Sequence, residues 1–231
     1  MASWMLSPSG KHRRAMNVVV SGTSSGIGKA IAQKFLAEGH DVCGYDVCPA
    51  SIIHARYTHL TCDIRSERLP QPSTAPHVVV LSAGTLEEAD AIDVNLVATI
   101  RFAQTFAASP NLRSILFVAS ASARNGAEFP FYVASKAGVV GYMKNLALSL
   151  APRGITCNSI SPGGVITPAN DHILRSEKLF AQVKAETLLG KWAEASEVAD
   201  LAYFLTVTNR SITGEDILMD NGEMLKSNFI W

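Results

Sequence analysis

The chain has 231 residues, 48% of them hydrophobic and 17% charged, which suits one α/β domain with a substantial core and excludes an intrinsically disordered chain. Lys+Arg and Asp+Glu both number 20, so no net field draws the protein to nucleic acid or to an anionic membrane. No apolar run reaches the roughly 18 residues of a membrane span. The four cysteines, Cys43, Cys48, Cys62 and Cys157, lack metal-type spacing, so free thiols in a reducing cytoplasm are expected, and no metal.

Residues 1–15 do not form a secretory signal, because their charges follow the short apolar patch instead of preceding it. Met16 stands just before the first strand, so they read as a leader, disordered or appended, to a single domain over 16–231. In that domain β-type runs alternate with helical patterns, the mark of βαβ units on a parallel sheet. The spacing predicts strands over 17–21, 41–45, 59–62, 77–82, 114–119, 155–160 and 217–220, and helices over 27–38, 91–107 and 132–150. No Gly/Ser linker separates them. The fold class expected is α/β, a doubly wound parallel β-sheet with helices on both faces.

After the first strand comes Ser21-Gly22-Thr23-Ser24-Ser25-Gly26-Ile27-Gly28, then a helix. Glycines there let backbone approach a pyrophosphate, and the helix N-terminus offers free N–H groups to it. A P-loop almost fits but fails at two positions, Thr23 in place of its first glycine and Ala30 in place of its magnesium-binding hydroxyl, which leaves ATP hydrolysis a weak competitor. On glycines alone the segment could also be a mere tight turn, the lesser alternative. Asp46, 18 positions beyond Gly28, ends the second strand where a carboxylate would grip the adenosine ribose hydroxyls. It would repel a 2′-phosphate, so NAD is expected over NADP.

Tyr132 and Lys136 lie four residues apart at the start of a helix and so share a face. A nearby ammonium favours the phenolate and fits the tyrosine for acid/base work near neutrality. Ser120 falls at the end of the fifth strand, where ligands gather in open α/β sheets, and Ser122 competes with it for a substrate oxygen.

In these motifs the chain resembles the short-chain dehydrogenase/reductase family, in its compact single-domain type. Gly22-x3-Gly26-x-Gly28 is similar to the family's cofactor turn, and Tyr132-Val-Ala-Ser-Lys136 to its active-site motif. The resemblance implies a Rossmann fold and an oxidoreductase interconverting a secondary alcohol and a ketone. It implies that Tyr132 is the acid/base, that Lys136 binds the nicotinamide ribose and tunes Tyr132, that Ser120 polarises the substrate oxygen, and that Asn95 kinks its helix and holds a relay water. It also implies cofactor contacts from Ser24, Ser25, Ile27, Asp63, Ile64, Ala83 and Gly84, and from Pro162, Gly163, Val165 and Thr167 around the carboxamide, in a homodimer or homotetramer.

The chain departs from the family pattern in three places. Leu81-Ser82-Ala83-Gly84 replaces Asn-Asn-Ala-Gly, residues 65–76 carry three prolines and can hardly form the usual helix, and residues 85–93 are short, which removes wall material beside the pocket. Residues 167–189 carry Ile173, Leu174, Leu179, Phe180 and Val183, a pattern expected of a lid helix with an apolar inner face or of simple packing onto the domain. The apolar tail Phe229-Ile230-Trp231 is expected to dock on another subunit. His54, His59, His77 and His172 show no ligand spacing. The rival readings are a non-catalytic NAD-binding regulator and a non-redox epimerase or lyase.

Overall fold

A computed structural model describes residues 15–127 and 129–226. Nearly all of the expected leader, and the Phe229-Ile230-Trp231 tail, lie outside the described residues.

Seven parallel strands form one sheet in the order β3-β2-β1-β4-β5-β6-β9. They are β1 (Asn17–Ser21), β2 (Asp41–Asp46), β3 (Tyr57–Thr61), β4 (Val78–Leu81), β5 (Ser114–Val118), β6 (Thr156–Pro162) and β9 (Asp216–Met219). A separate pair joins the short β7 (Val165–Ile166) to β8 (Ala193–Glu194). Side chains alternate across a strand, and here that alternation divides the core in two. Val18 and Val20 pack with Ile31 and Phe35 of α1 (Gly26–Ala37). Val198 and Ala202 of α7 (Ala195–Tyr203) complete that layer. Val19 turns the other way, towards Phe102 of α2 (Thr99–Ala107) and Met143 of α4 (Pro130–Leu150). Burial on both faces explains why β1 and β4 read as unbroken apolar runs.

The strand order reverses at β1, which pairs with β2 on one side and β4 on the other. Crossovers to opposite faces leave a crevice at the carboxyl ends of these strands, the place where such sheets bind ligands. Ser21 is level with Tyr45 and Leu81, so the glycine turn, Asp46 and Ser82 all leave the sheet into that crevice.

Several expectations shift in detail. The stretch 91–107 is not one regular helix, because it opens with a π-helical segment, Ile92–Ala98, before α2. No helix forms over 65–76, as its prolines dictate. The segment 167–189, expected as one lid helix or as packing onto the domain, holds two short helices, α5 (Asp171–Leu174) and α6 (Glu177–Ala185), because the Ser176 hydroxyl accepts from the Leu179 N–H (3.3 Å) and starts a new helix. No residue of either is fully buried, and Leu179, expected on the inner face, is exposed. Among the described residues no helix is long and apolar enough to cross a membrane, and no cluster suits a metal ion.

Candidate active site

The glycine turn is held from within. Gly22 (φ 78°) and Gly26 (φ 54°) occupy the left-handed region that favours glycine. A Cβ on Gly28 would lie 2.1 Å from the Gly22 carbonyl oxygen, so α1 starts in direct contact with the turn it leaves. The Gly22 N–H donates to the Tyr45 carbonyl (2.7 Å). Asp46 accepts from the backbone N–H groups of Ser24 (2.9 Å) and Cys48 (2.9 Å), which fixes its carboxylate beside the turn. The Ser24 hydroxyl lies against the Cys48 and Pro49 carbonyls, and Ser51 donates to the Ser24 carbonyl (2.7 Å). Beneath them the buried Thr23 hydroxyl meets the Tyr57 hydroxyl (2.8 Å), which in turn meets His59 Nδ1 (2.8 Å). Ser25 is the N-cap of α1 and its side chain makes no cap bond, while Ile27 packs against the core.

Thr167 faces this turn from across the crevice, 3.6 Å from where a Cβ on Gly26 would stand. The left-handed glycines, the helix N-terminus, the strand-end carboxylate and the opposing threonine together fit the diphosphate and ribose of a dinucleotide. The other expected contacts fall out unevenly. Asp63 is gripped by Arg65, whose Nε and Nη2 donate to it at 2.9 and 2.7 Å, and this guanidinium holds its carboxyl below the usual range. The Ile64 side chain is buried in the core, so a cofactor contact from this residue would have to come from its backbone. Ala83 packs directly on Gly22. Pro162 ends β6, Gly163 is wedged against Asp220, and the Val165 carbonyl accepts from Asn170 Nδ2 (2.8 Å).

The sequence-predicted catalytic residues meet at the carboxyl ends of β4 and β5. Lys136 is only 6% exposed, and its ammonium donates to the Val118 carbonyl (3.0 Å) at the end of β5. One turn earlier on α4, the Tyr132 ring centroid lies 5.7 Å from Lys136 Nζ. Ser120, two residues past Val118, is buried, and its oxygen accepts from the Ser122 hydroxyl (2.8 Å) and N–H (3.2 Å). The Ser122 hydroxyl is therefore spent on Ser120. Asn95 sits in the π-helical segment, where its oxygen accepts from the Thr85 N–H (2.7 Å) and its amide donates to the Thr85 carbonyl (2.9 Å) and to Ser135 Oγ (3.2 Å). Ser135 Oγ donates to the Tyr132 carbonyl (2.7 Å), so Asn95 is tied to the first turn of α4. Gly84 faces the same space, and a Cβ there would be 3.0 Å from Asn95 Oδ1 and 3.4 Å from Lys136 Nζ.

A family model described as enoyl-(acyl carrier protein) reductase matches residues 77–223. The chain belongs to the short-chain dehydrogenase/reductase family. It is 30% identical over 238 residues to (+)-borneol dehydrogenase 1 of Salvia officinalis, covering 88% of this chain and 92% of that one. It is 29% identical over 245 residues to a short chain dehydrogenase of Penicillium roqueforti, covering 88% and 95%. The ligand-free aldohexose dehydrogenase of Thermoplasma acidophilum superposes with a TM-score of 0.79 at 27% identity, covering 94% and 97%.

Some partners in this dehydrogenase/reductase site carry no family motif. Ser21 Oγ accepts from the N–H groups of Ser82 and Ala83 (both 3.1 Å) and so joins β1 to the segment where the family's asparagines are missing. Glu88, in the shortened loop after β4, binds the N-terminus of α4. The sequence does hold a signal for such a partner. Phe129 is the N-cap of α4 and cannot cap it, and Pro130 follows at once, so the helix needs an acceptor from elsewhere.

Burial pushes the Lys136 ammonium down to about 8. The sign of its effect follows directly. Below that value the charge is present beside Tyr132, and as pH rises through it the charge and its support for the phenolate are lost. The unfolded chain holds this proton more tightly than the folded one, so Lys136 opposes folding below about pH 8, and that cost fades as pH rises further. We expect kcat/KM for carbonyl reduction, which reports the free enzyme, to fall on the alkaline side with an apparent pKa near 8. Lys136→Arg, whose guanidinium stays charged, should move that limb upward by a unit or more while lowering the maximum. A pH–rate profile of both proteins checks this.

Proposed function

We propose that the protein is an NAD(H)-dependent oxidoreductase that interconverts a secondary alcohol and a ketone, with Tyr132 as its acid/base. The observation that carries this reading is the buried Lys136 ammonium, held by the last carbonyl of β5 and 5.7 Å from the Tyr132 ring. A buried ammonium beside a phenol lowers the cost of the phenolate. When bound, the nicotinamide supplies hydride to the substrate carbon or accepts it. Tyr132 returns a proton to the carbonyl oxygen or removes one from the alcohol. Ser120 holds that oxygen with its own O–H, which Ser122 frees for the task by donating to Ser120 Oγ. Asn95 spends its amide protons within the protein and keeps a lone pair of Oδ1, facing the open side of Gly84, for a relay water. Lys136 also binds the nicotinamide ribose.

Asp46 supports NAD over NADP, since its fixed carboxylate would repel a 2′-phosphate. The fold itself takes either, for a 4-hydroxyisoleucine dehydrogenase of the same fold was solved with NADH and an L-rhamnose 1-dehydrogenase of Thermoplasma acidophilum is named for NADP+. Asp46→Ser keeps an acceptor for the turn but removes the charge. It should lower the NADH-over-NADPH ratio of kcat/KM by roughly 10- to 100-fold, the worth of one charged hydrogen bond. Initial rates with both cofactors read this out, and an unchanged ratio would remove Asp46 from the selectivity.

The reading extends to a cytoplasmic homodimer or homotetramer, which light scattering of the purified protein tests. The overall test is NADH consumption against a panel of ketones. Product formed without net NADH change would favour a non-redox relative, and cofactor binding with no turnover of any carbonyl would favour a regulator.

A further inference from the structure

We propose that Glu88 is the positioning residue for Tyr132. This inference rests on the acid/base reading above. The two Glu88 carboxylate oxygens accept from the backbone N–H groups of Phe131 (3.1 Å) and Tyr132 (3.0 Å). Pro130 has no N–H to offer, and the Val133 N–H already donates to the Phe129 carbonyl (2.9 Å). Glu88 therefore satisfies both remaining donors in the first turn of α4, the work an N-cap side chain normally does, from more than forty residues away in sequence. A carboxylate also suits the positive end of the longest helix described.

The loop that presents Glu88 is itself anchored at both ends. Thr85 is held through its N–H and its carbonyl by Asn95, and its hydroxyl accepts from the Glu87 N–H (3.0 Å). At the far end Arg65 pairs with Asp90 (3.2 Å) while gripping Asp63. The bracket thus runs from the end of β3 to the first turn of α4. Tyr132 lies within that turn, whereas Lys136 lies one turn deeper, buried and fixed independently to Val118. Loss of Glu88 releases the tyrosine and leaves the lysine and the cofactor crevice in place. The shortened loop, which as a sequence reads as lost material beside the pocket, carries the restraint on the acid/base.

The test compares Glu88→Ala and Glu88→Gln with the wild type in the full chain. Glu88→Ala should lower kcat by roughly 10- to 100-fold, the scale of a misplacement of about 1 Å at a reacting group. The dissociation constant for NADH should change less than twofold. Glu88→Gln keeps one acceptor of the two and should fall between them. Native-state hydrogen exchange should show the Phe131 and Tyr132 amides losing protection in the same order. The proposal is overturned by wild-type kcat in Glu88→Ala, or by a loss shared equally between kcat and cofactor affinity. Should Glu88→Ala fail to fold, Glu88→Gln decides alone. If wild type turns over no carbonyl compound, the acid/base reading has failed. Exchange at the two amides, with ultraviolet titration of the Tyr132 phenol, then decides whether Glu88 holds the tyrosine, and unchanged exchange in both variants rejects it.

Discussion

Tyr132→Phe will bind NADH as the wild type does and will lose roughly a hundred- to ten-thousandfold in turnover of a ketone, the range that a general acid supplies. The substitution removes one oxygen and keeps the ring. The backbone of this turn of α4 stays held in the variant, since the Tyr132 N–H goes to Glu88 and its carbonyl receives Ser135 Oγ. Lys136 keeps its bond to Val118, and nothing in the glycine turn changes. The loss should therefore sit in kcat, with cofactor affinity and melting temperature near wild type. Fluorescence titration with NADH alongside steady-state rates separates the two quantities. Full activity in Tyr132→Phe would place the proton on another group and dismantle the proposed mechanism.

Gly28→Ala is expected to act at the other end of the crevice and by a different cause. Its Cβ would stand 2.1 Å from the Gly22 carbonyl oxygen, 2.7 Å from the Gly22 carbonyl carbon and 3.0 Å from the Ser21 carbonyl oxygen. All three are backbone atoms and cannot rotate away. Gly22 has no slack to give, because a Cβ built on it already comes within 2.9 Å of Ala83. Either α1 moves off the turn or the turn opens, and both spoil the array of N–H groups that receives the diphosphate. We expect cofactor affinity to drop about a hundredfold or more, and stability to fall by roughly 1–3 kcal/mol as for other overpacked sites. Calorimetric titration with NADH and thermal unfolding measure the two effects. Undiminished cofactor affinity would show that the turn is not where the diphosphate sits.

The parts of this protein that were legible in its sequence are those where one residue type has one physical use. Three consecutive valines in β1 announced a strand buried on both faces, and the glycines announced a turn with left-handed backbone and close approach. Tyr132 and Lys136 announced a shared helix face, and the structure sets them together. Asn95 was legible as a residue that kinks its helix, and it does sit in the π-helical segment, but its two bonds to Thr85 were not, since they need the loop after β4 to fold back onto the asparagine side chain. Glu88 was hidden because an exposed-looking carboxylate in a short loop has many uses, and only tertiary contact selects one. The single helix expected over 167–189 failed for a nearer reason. Its apolar spacing reads as one stripe, yet the cap at Ser176 starts a second helix with a new phase and leaves Leu179 outside. The signal, a serine followed by glutamate at a helix start, was present in the sequence.

Asp216, the first residue of β9, accepts from the hydroxyls of Ser159 (2.7 Å) and Ser161 (2.8 Å) in β6 and pairs with Arg124 (2.8 Å). Arg124 belongs to α3 (Ser122–Asn125), the short helix that follows Ser120 directly. The strand nearest the end of the chain thus braces the serine side of the crevice. β9 also covers β6, which without it would be an open sheet edge. The serine side of the crevice therefore rests on a contact spanning 92 residues of sequence, from Arg124 to Asp216, where the Asp46 to Ser24 contact beside the glycine turn spans 22.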